Sequence, residues 1–135
     1  MAIEPIAQKP RPELHDVEMS ERRKEVAAAM VSANVSREDA IAFVSRKFKK
    51  QQSIEMTFDE LNDFIYWLNM VQIVHGEMDR IGFTFDQESE MVSQAGQLAK
   101  KKLESDRISA LDTSDLEGAI AWLGQLADDS AENHI

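Results

Sequence analysis

The stretch TFDELNDFIYWLNMVQIVHGEM, residues 57–78, carries the densest apolar pattern of the chain. Its apolar residues recur at intervals of three and four, the period of an α-helix, and they cover an arc too wide for one neighbour. Thr57 and Glu60 stand three residues apart at its start, as in a capping box. We therefore predict a long central helix that begins at Thr57, is closed by Gly82 and packs against neighbours on more than one side.

The rest of the sequence favours helices as well. All three prolines precede residue 13, and the segments after Ser20 show helical rather than alternating apolar spacing. Two helices are predicted before the central one, from Ser20 to about Ala33 and from an N-cap at Ser36. Two more are predicted after it, one capped by Thr84 and one that begins near Thr113. The predicted fold class is all-α, a compact bundle of about five helices with a flexible N-terminal arm.

A single domain is expected, because 135 residues form one core comfortably but not two. Residues 1–18 hold the prolines and little apolar periodicity, so we predict that they form the mobile N-terminal arm. The helical domain then spans residues 19–128. Residues 129–135 are polar and are predicted to form a frayed tail.

Composition excludes several classes of protein. The chain has no cysteine, which rules out disulfides, thiolate nucleophiles and cysteine-ligated metals. It has no run of about 18 apolar residues, as a membrane span requires. The N-terminal residues also lack the apolar stretch of a secretory signal. We therefore expect a cytoplasmic protein without a membrane partner.

The net charge of −10 is unevenly distributed. Residues 1–50 carry 10 positive and 8 negative side chains, a balance of +2, whereas residues 51–135 carry 5 and 17, a balance of −12. Such an excess repels nucleic acid and favours a partner with a basic surface, although it also keeps small proteins dispersed. The candidate partner-binding residues are the acids at two predicted helix starts and one tryptophan: Asp59, Glu60, Asp63, Asp86, Glu88, Glu90 and Trp122.

No catalytic, cofactor or metal site is predicted. His75 and Asp79 share a helix face, but two ligands do not make a metal site, and the sequence has neither a His-Glu-x-x-His nor a Glu-x-x-His motif. There is no Gly-x-Ser-x-Gly motif, and the five glycines are too scattered to form a phosphate-binding loop. The chain is therefore not expected to be an enzyme.

Residues 26–50 offer an alternative function. They predict two short helices joined around Asn34, which is the layout of a helix-turn-helix. Against this hypothesis, the turn has no glycine, and Glu38 and Asp39 occupy the start of the recognition helix, where they would face phosphates. Under this hypothesis the nucleic-acid contacts are cations of the second helix: Arg37, Arg46, Lys47, Lys49 and Lys50.

The preferred hypothesis is a non-enzymatic protein-binding module, such as an adaptor, an assembly chaperone or a small phage or plasmid inhibitor of host machinery. An acidic face that imitates nucleic acid to a basic target is its sharper version. Large apolar residues that five short helices cannot bury would mark a contact patch, and Met56, Phe83 and Trp122 are the candidates. The sequence specifies no oligomeric state.

Overall fold

The described part of the chain, residues 10–82 and 88–133 of a computed structural model, forms five α-helices and two short 3-10 turns. The helices are α1 (Pro10–Ala33), α2 (Arg37–Phe48), α3 (Phe58–Arg80), α4 (Glu88–Ala99) and α5 (Thr113–Asn133). The 3-10 turns are Ser53–Glu55 and Ile108–Ala110. These residues contain no β-strand, so the all-α prediction is confirmed. None of the five helices combines the length and apolar character needed to cross a bilayer.

The central element is α3, as predicted. The Thr57 side chain accepts a hydrogen bond from the Glu60 backbone N–H at 3.1 Å, and the Glu60 carboxylate accepts one from the Thr57 N–H at 2.9 Å, so the capping box is complete. α1 and α5 pack against α3, and α4 packs against α5. Three aromatic rings join α2 to α3, and those of Phe43 and Trp67 stack with centroids 4.1 Å apart beside Phe64.

The first helix begins at Pro10, so the predicted start at Ser20 is wrong. Residues 10–18 of the predicted arm are helical, and residues 1–9 lie outside the described residues. Proline breaks a helix in its interior, but the first turn has no intrahelical partners for its backbone N–H groups. Pro10 and Pro12 therefore fit the start of α1.

The last helix is longer than the sequence predicted. α5 continues to Asn133, so residues 129–133 of the predicted frayed tail are helical. No glycine or proline follows Gly124, and the local sequence therefore contains no strong stop signal. The predicted cap at Thr84 lies outside the described residues, and α4 is described from Glu88 onward.

One apolar cluster surrounds α3 and draws side chains from all five helices. Of the residues expected to form an exposed patch, Met56 is only 2% exposed and belongs to this core. Trp122 is half-buried and packs against the cluster, and Phe83 lies outside the described residues. The largest fully buried side chains include Phe43, Leu61, Trp67, Leu68, Met91, Ile108, Leu111, Leu116 and Leu123.

Candidate functional site

A groove of about 390 Å³ separates α1 from α2. A short turn joins the two helices, and in it Asn34 adopts a left-handed backbone conformation with φ of 55°. Each helix lines the groove with residues spaced three and four apart, so a single face of each contributes. The lining residues of α1 are Arg23, Val26, Ala27 and Met30, and those of α2 are Arg37, Ala40, Ile41 and Val44.

The floor of the groove is apolar and continuous with the core. Its base is formed by core side chains that are at most 5% exposed: Val26, Ala40, Val44, Met56 and Phe64. Ile41 stands on the α2 wall with 42% of its surface exposed, and residues 51–53 add polar groups to the rim. An apolar concavity open to water is the kind of surface that a ligand or partner covers.

Two arginines supply the charge of the groove. Neither Arg23 nor Arg37 forms a hydrogen bond or ion pair with another described residue, whereas the neighbouring Arg22 pairs with Glu25 at 2.6 Å. The described lining residues include no acid, although the chain carries 25 Asp and Glu residues. Arg37 lies next to the turn that joins the two helices, whereas Arg23 lies ten residues before the end of α1, about 15 Å along its axis. Each end of the apolar floor therefore carries a positive charge.

Arg46, predicted to contact nucleic acid, is engaged inside the molecule. Its Nε and Nη2 donate to the Ser109 carbonyl at 3.3 and 3.1 Å, and its Nη1 pairs with Asp112 at 2.9 Å. Burial opposes ionisation of Asp112, but the hydrogen bond and charge of Arg46, together with Lys101, outweigh burial and lower the pKa of this carboxyl. Arg46 thus fastens the segment before α5 to α2.

The other four predicted nucleic-acid contacts are divided between the two ends of α2. Lys50 pairs with Glu60 at 2.9 Å, and Lys49 donates to a carbonyl of the preceding helical turn at 3.2 Å. Lys47 is exposed on α2, and Arg37 lies on the rim of the groove. Of the five cations, only Arg37 belongs to the described residues that line the groove.

The predicted acidic residues are likewise not brought together. Three of them lie in the first two turns of α3: Asp59, Glu60 and Asp63. Glu88 lies beside His75, about 18–24 Å further along the axis of α3, and Glu90 is exposed two residues after Glu88 in α4. Asp86 lies outside the described residues, and Trp122 packs against the core. The described members of this set therefore do not form a single acidic face.

Glu60 has a local structural role. The backbone N–H of Thr57 is the main cause of its lowered pKa, and the ion pair with Lys50 contributes next. Asp59 and Asp63 are exposed and stand one helical turn apart. These two carboxylates form the part of the predicted acidic set on α3 that faces solvent.

His75 links three helices. Its Nδ1 lies 2.8 Å from the carbonyl oxygen of Ala33 at the end of α1 and therefore donates to it, and its Nε2 lies 3.3 Å from the Glu88 carboxylate at the start of α4. The histidine thus satisfies a carbonyl that the helix end leaves without an intrahelical partner. Within residues 10–82 and 88–133, no group of three or more His, Cys, Asp or Glu side chains could hold a metal ion.

A partly buried ion pair that the sequence did not indicate holds the loop before α5. Arg107 donates from Nε and Nη2 to the two Asp39 oxygens at 2.7 and 2.9 Å, and Ser109 Oγ donates to the same carboxylate at 3.4 Å. The hydrogen bond from Arg107 is the main cause of the lowered pKa of Asp39, and it outweighs the opposing effect of burial. The partners lie 68 residues apart, so only the tertiary fold brings them together.

The groove was also absent from the sequence-based candidates, although one signal pointed to it. α2 carries apolar side chains over an arc of roughly 160°, at Ala40, Ile41, Phe43, Val44 and Phe48. A single neighbouring element cannot cover such an arc. In the structure Phe43 is buried against α3, while Ile41 remains in solvent on the wall of the groove.

Comparison of the chain with protein-family models, with curated proteins and with solved structures finds no match.

Proposed function

We propose that this chain is a non-enzymatic protein-binding module and that the groove between α1 and α2 holds its partner. The observation that carries the proposal is an open groove whose apolar floor belongs to the core and whose rim presents Arg23 and Arg37 without acidic partners. Full burial of an isoleucine side chain contributes roughly 1.5–3 kcal/mol. Because Ile41 is only partly buried, a partner that covers it would gain part of that free energy on binding.

The groove supports a protein binder better than it supports an acidic mimic of nucleic acid. Glu60 and Glu88 are engaged within the molecule, and the acids of α3 and α4 lie far apart. An adaptor, an assembly chaperone or a small inhibitor would each use a groove of this kind. The proposal therefore keeps the predicted class of function and moves the contact surface to α1 and α2.

The DNA-binding alternative has less support from the same contacts. Arg46 and Lys50 already pair with carboxylates, so binding to phosphates would require those pairs to break. Glu38 is exposed in the first turn of α2, where a recognition helix meets the bases.

The test compares partner capture by the wild-type protein and two matched variants. Ile41→Glu places a charge on the wall of the groove. Ile73→Glu makes the same change on α3, at an isoleucine of similar exposure, 47% against 42%, that does not line the groove. The tagged proteins are incubated with a nuclease-treated lysate of the source cells, and the retained proteins are quantified by mass spectrometry.

We expect one protein to be retained in near-equimolar amount by the wild type and by Ile73→Glu, and at least tenfold less by Ile41→Glu. Equal retention by all three would contradict the assignment of the groove. Retention of nucleic acid without protein, from lysate left untreated with nuclease, would favour the helix-turn-helix alternative. Circular dichroism of both variants checks that neither substitution unfolds the chain.

A further inference from the structure

Building on the proposed function, we infer that the groove binds an acidic amphipathic α-helix of another protein. The occupant presents about two turns of apolar side chains to the floor and a carboxylate near each end. The inference rests on three properties of the groove: the backbone of its walls, the spacing of its apolar residues and the position of its two arginines.

The walls favour a helix over an extended peptide. Both are α-helices, whose backbone N–H and C=O groups are already paired within each helix except at the ends. An extended segment would find no row of backbone partners there, whereas a helix satisfies its own backbone groups. A third helix laid between α1 and α2 would complete a small bundle of three.

The apolar floor sets the length and spacing of the occupant. The lining residues of α1 extend from Arg23 to Met30 and those of α2 from Arg37 to Val44, which is about 10 Å, or two helical turns, in each case. The volume of about 390 Å³ suits a few side chains rather than a whole helix. An amphipathic helix delivers such a set from positions i, i+3 or i+4, and i+7.

The arginines set the charge of the occupant. Arg23 and Arg37 stand at opposite ends of the groove on opposite walls, and the described lining residues contribute no carboxylate to balance them. Asp or Glu residues at both ends of the apolar stripe of the occupant would meet them. The protein as a whole has a net charge of −10, so repulsion elsewhere would confine an acidic helix to this groove.

The first experiment selects the occupant from a displayed library of 16-residue helical peptides. Selection uses the full-length protein, and peptides that also bind Ile41→Glu are removed. The expected sequences carry apolar residues at i, i+3 or i+4, and i+7, with Asp or Glu at both ends of that stripe. Analytical ultracentrifugation of the unliganded protein and of Ile41→Glu measures self-association in parallel.

A second pair of variants tests the role of the arginines. The double variant Arg23→Glu with Arg37→Glu reverses both charges in the groove. Lys24→Glu with Lys47→Glu changes the net charge equally and on the same two helices, but at exposed residues that do not line the groove. By fluorescence anisotropy, we expect a selected peptide to bind the arginine variant at least tenfold more weakly and the lysine variant within threefold of the wild type.

The outcomes separate this inference from the proposed function. Selected peptides that require Ile41 but lack carboxylates, or that bind the arginine variant normally, would overturn the acidic occupant and leave the groove as a binding site. If no peptide remains after those that also bind Ile41→Glu have been removed, both the inference and the assignment of the groove would be overturned. Dimerisation of the wild type that Ile41→Glu abolishes would assign the groove to a second copy of the chain and overturn the inference.

Discussion

Asp39 holds a distant loop against α2 with a single carboxylate. It lies in the first turn of the helix, where negative charge is favoured, and it also receives two hydrogen bonds from Arg107. The Asp39 side chain is 9% exposed and that of Arg107 is 57% exposed. Solvent around Arg107 weakens the ion pair, but the buried Asp39 carboxylate still depends on Arg107 as its charged partner. The pair therefore makes the loop that precedes α5 sensitive to the ionisation of one residue.

Asp39→Asn should lower the free energy of unfolding by about 1–2 kcal/mol at pH 7, because hydrogen bonds to a charged acceptor are weakened. The pKa of Asp39 is lower in the folded state than its ordinary value, so its contribution is fully present above about pH 4. That contribution is lost as the pH falls through the folded-state pKa. Urea denaturation from pH 7 to pH 2 should show the two proteins converging at low pH.

The neighbouring Glu38→Gln serves as the control for Asp39→Asn. Glu38 is exposed in the same helical turn, and its side chain forms no hydrogen bond or ion pair within the described residues. We expect a change of less than about 0.5 kcal/mol at pH 7. A constant difference between wild type and Asp39→Asn across the whole pH range would contradict the role given to this ion pair.

At the scale of single elements, the start of α3 depends on its capping box. Thr57→Ala removes an acceptor for the Glu60 N–H and should lower the free energy of unfolding by about 1 kcal/mol. Thr57→Ser keeps the hydroxyl and should stay within about 0.3 kcal/mol of the wild type. Denaturant titrations followed by circular dichroism measure both values, and equal losses in the two variants would argue against capping.

Two helical glycines offer a paired test of packing. A Cβ at Gly118 of α5 meets nothing within 4 Å, so Gly118→Ala should gain about 0.5–1 kcal/mol from better helix propensity. A Cβ at Gly96 of α4 would lie 2.8 Å from Leu103 Cδ1 and 3.0 Å from its Cγ, so Gly96→Ala should gain less or lose stability. Thermal denaturation should rank Gly118→Ala above wild type and Gly96→Ala below Gly118→Ala.

Local sequence signals predicted the elements and some of their caps. The Thr57 capping box, the Ser36 N-cap and the stop near Gly82 depend on residues within a few positions of one another, and all three are present in the structure. The start of α1 was missed because the effect of proline depends on its position within the helix. Prediction from the sequence was therefore reliable for contacts within one turn.

The candidate site could not be predicted in the same way. The groove is lined by residues of α1, α2, the following connector and α3, and the Asp39–Arg107 pair joins residues 68 positions apart. Neither feature has a signature in neighbouring residues. The abundance of apolar side chains around α2 indicated unburied surface, but it did not indicate which of them would remain exposed.

At the scale of the whole molecule, the five helices share a single apolar cluster, so we expect cooperative two-state unfolding. Trp67 is fully buried, and its Nε1 donates to the Leu111 carbonyl at 2.8 Å. Its fluorescence is therefore a probe of the centre of the core. In a Trp122→Phe background, the urea transitions by fluorescence and by far-ultraviolet circular dichroism should coincide. A separate, earlier transition in circular dichroism would indicate that α1 melts independently.

Three helices terminate at residues other than glycine in the left-handed conformation: Asn34 with φ of 55°, Lys49 with φ of 59° and Lys100 with φ of 56°. Asparagine tolerates this conformation, but for lysine it costs on the order of 1 kcal/mol. The thermal stability of the chain can therefore be raised at these two lysines. Lys49→Gly and Lys100→Gly would release conformational strain without altering the groove. These two turns are therefore the first positions to change when a more stable laboratory reagent is built from this protein.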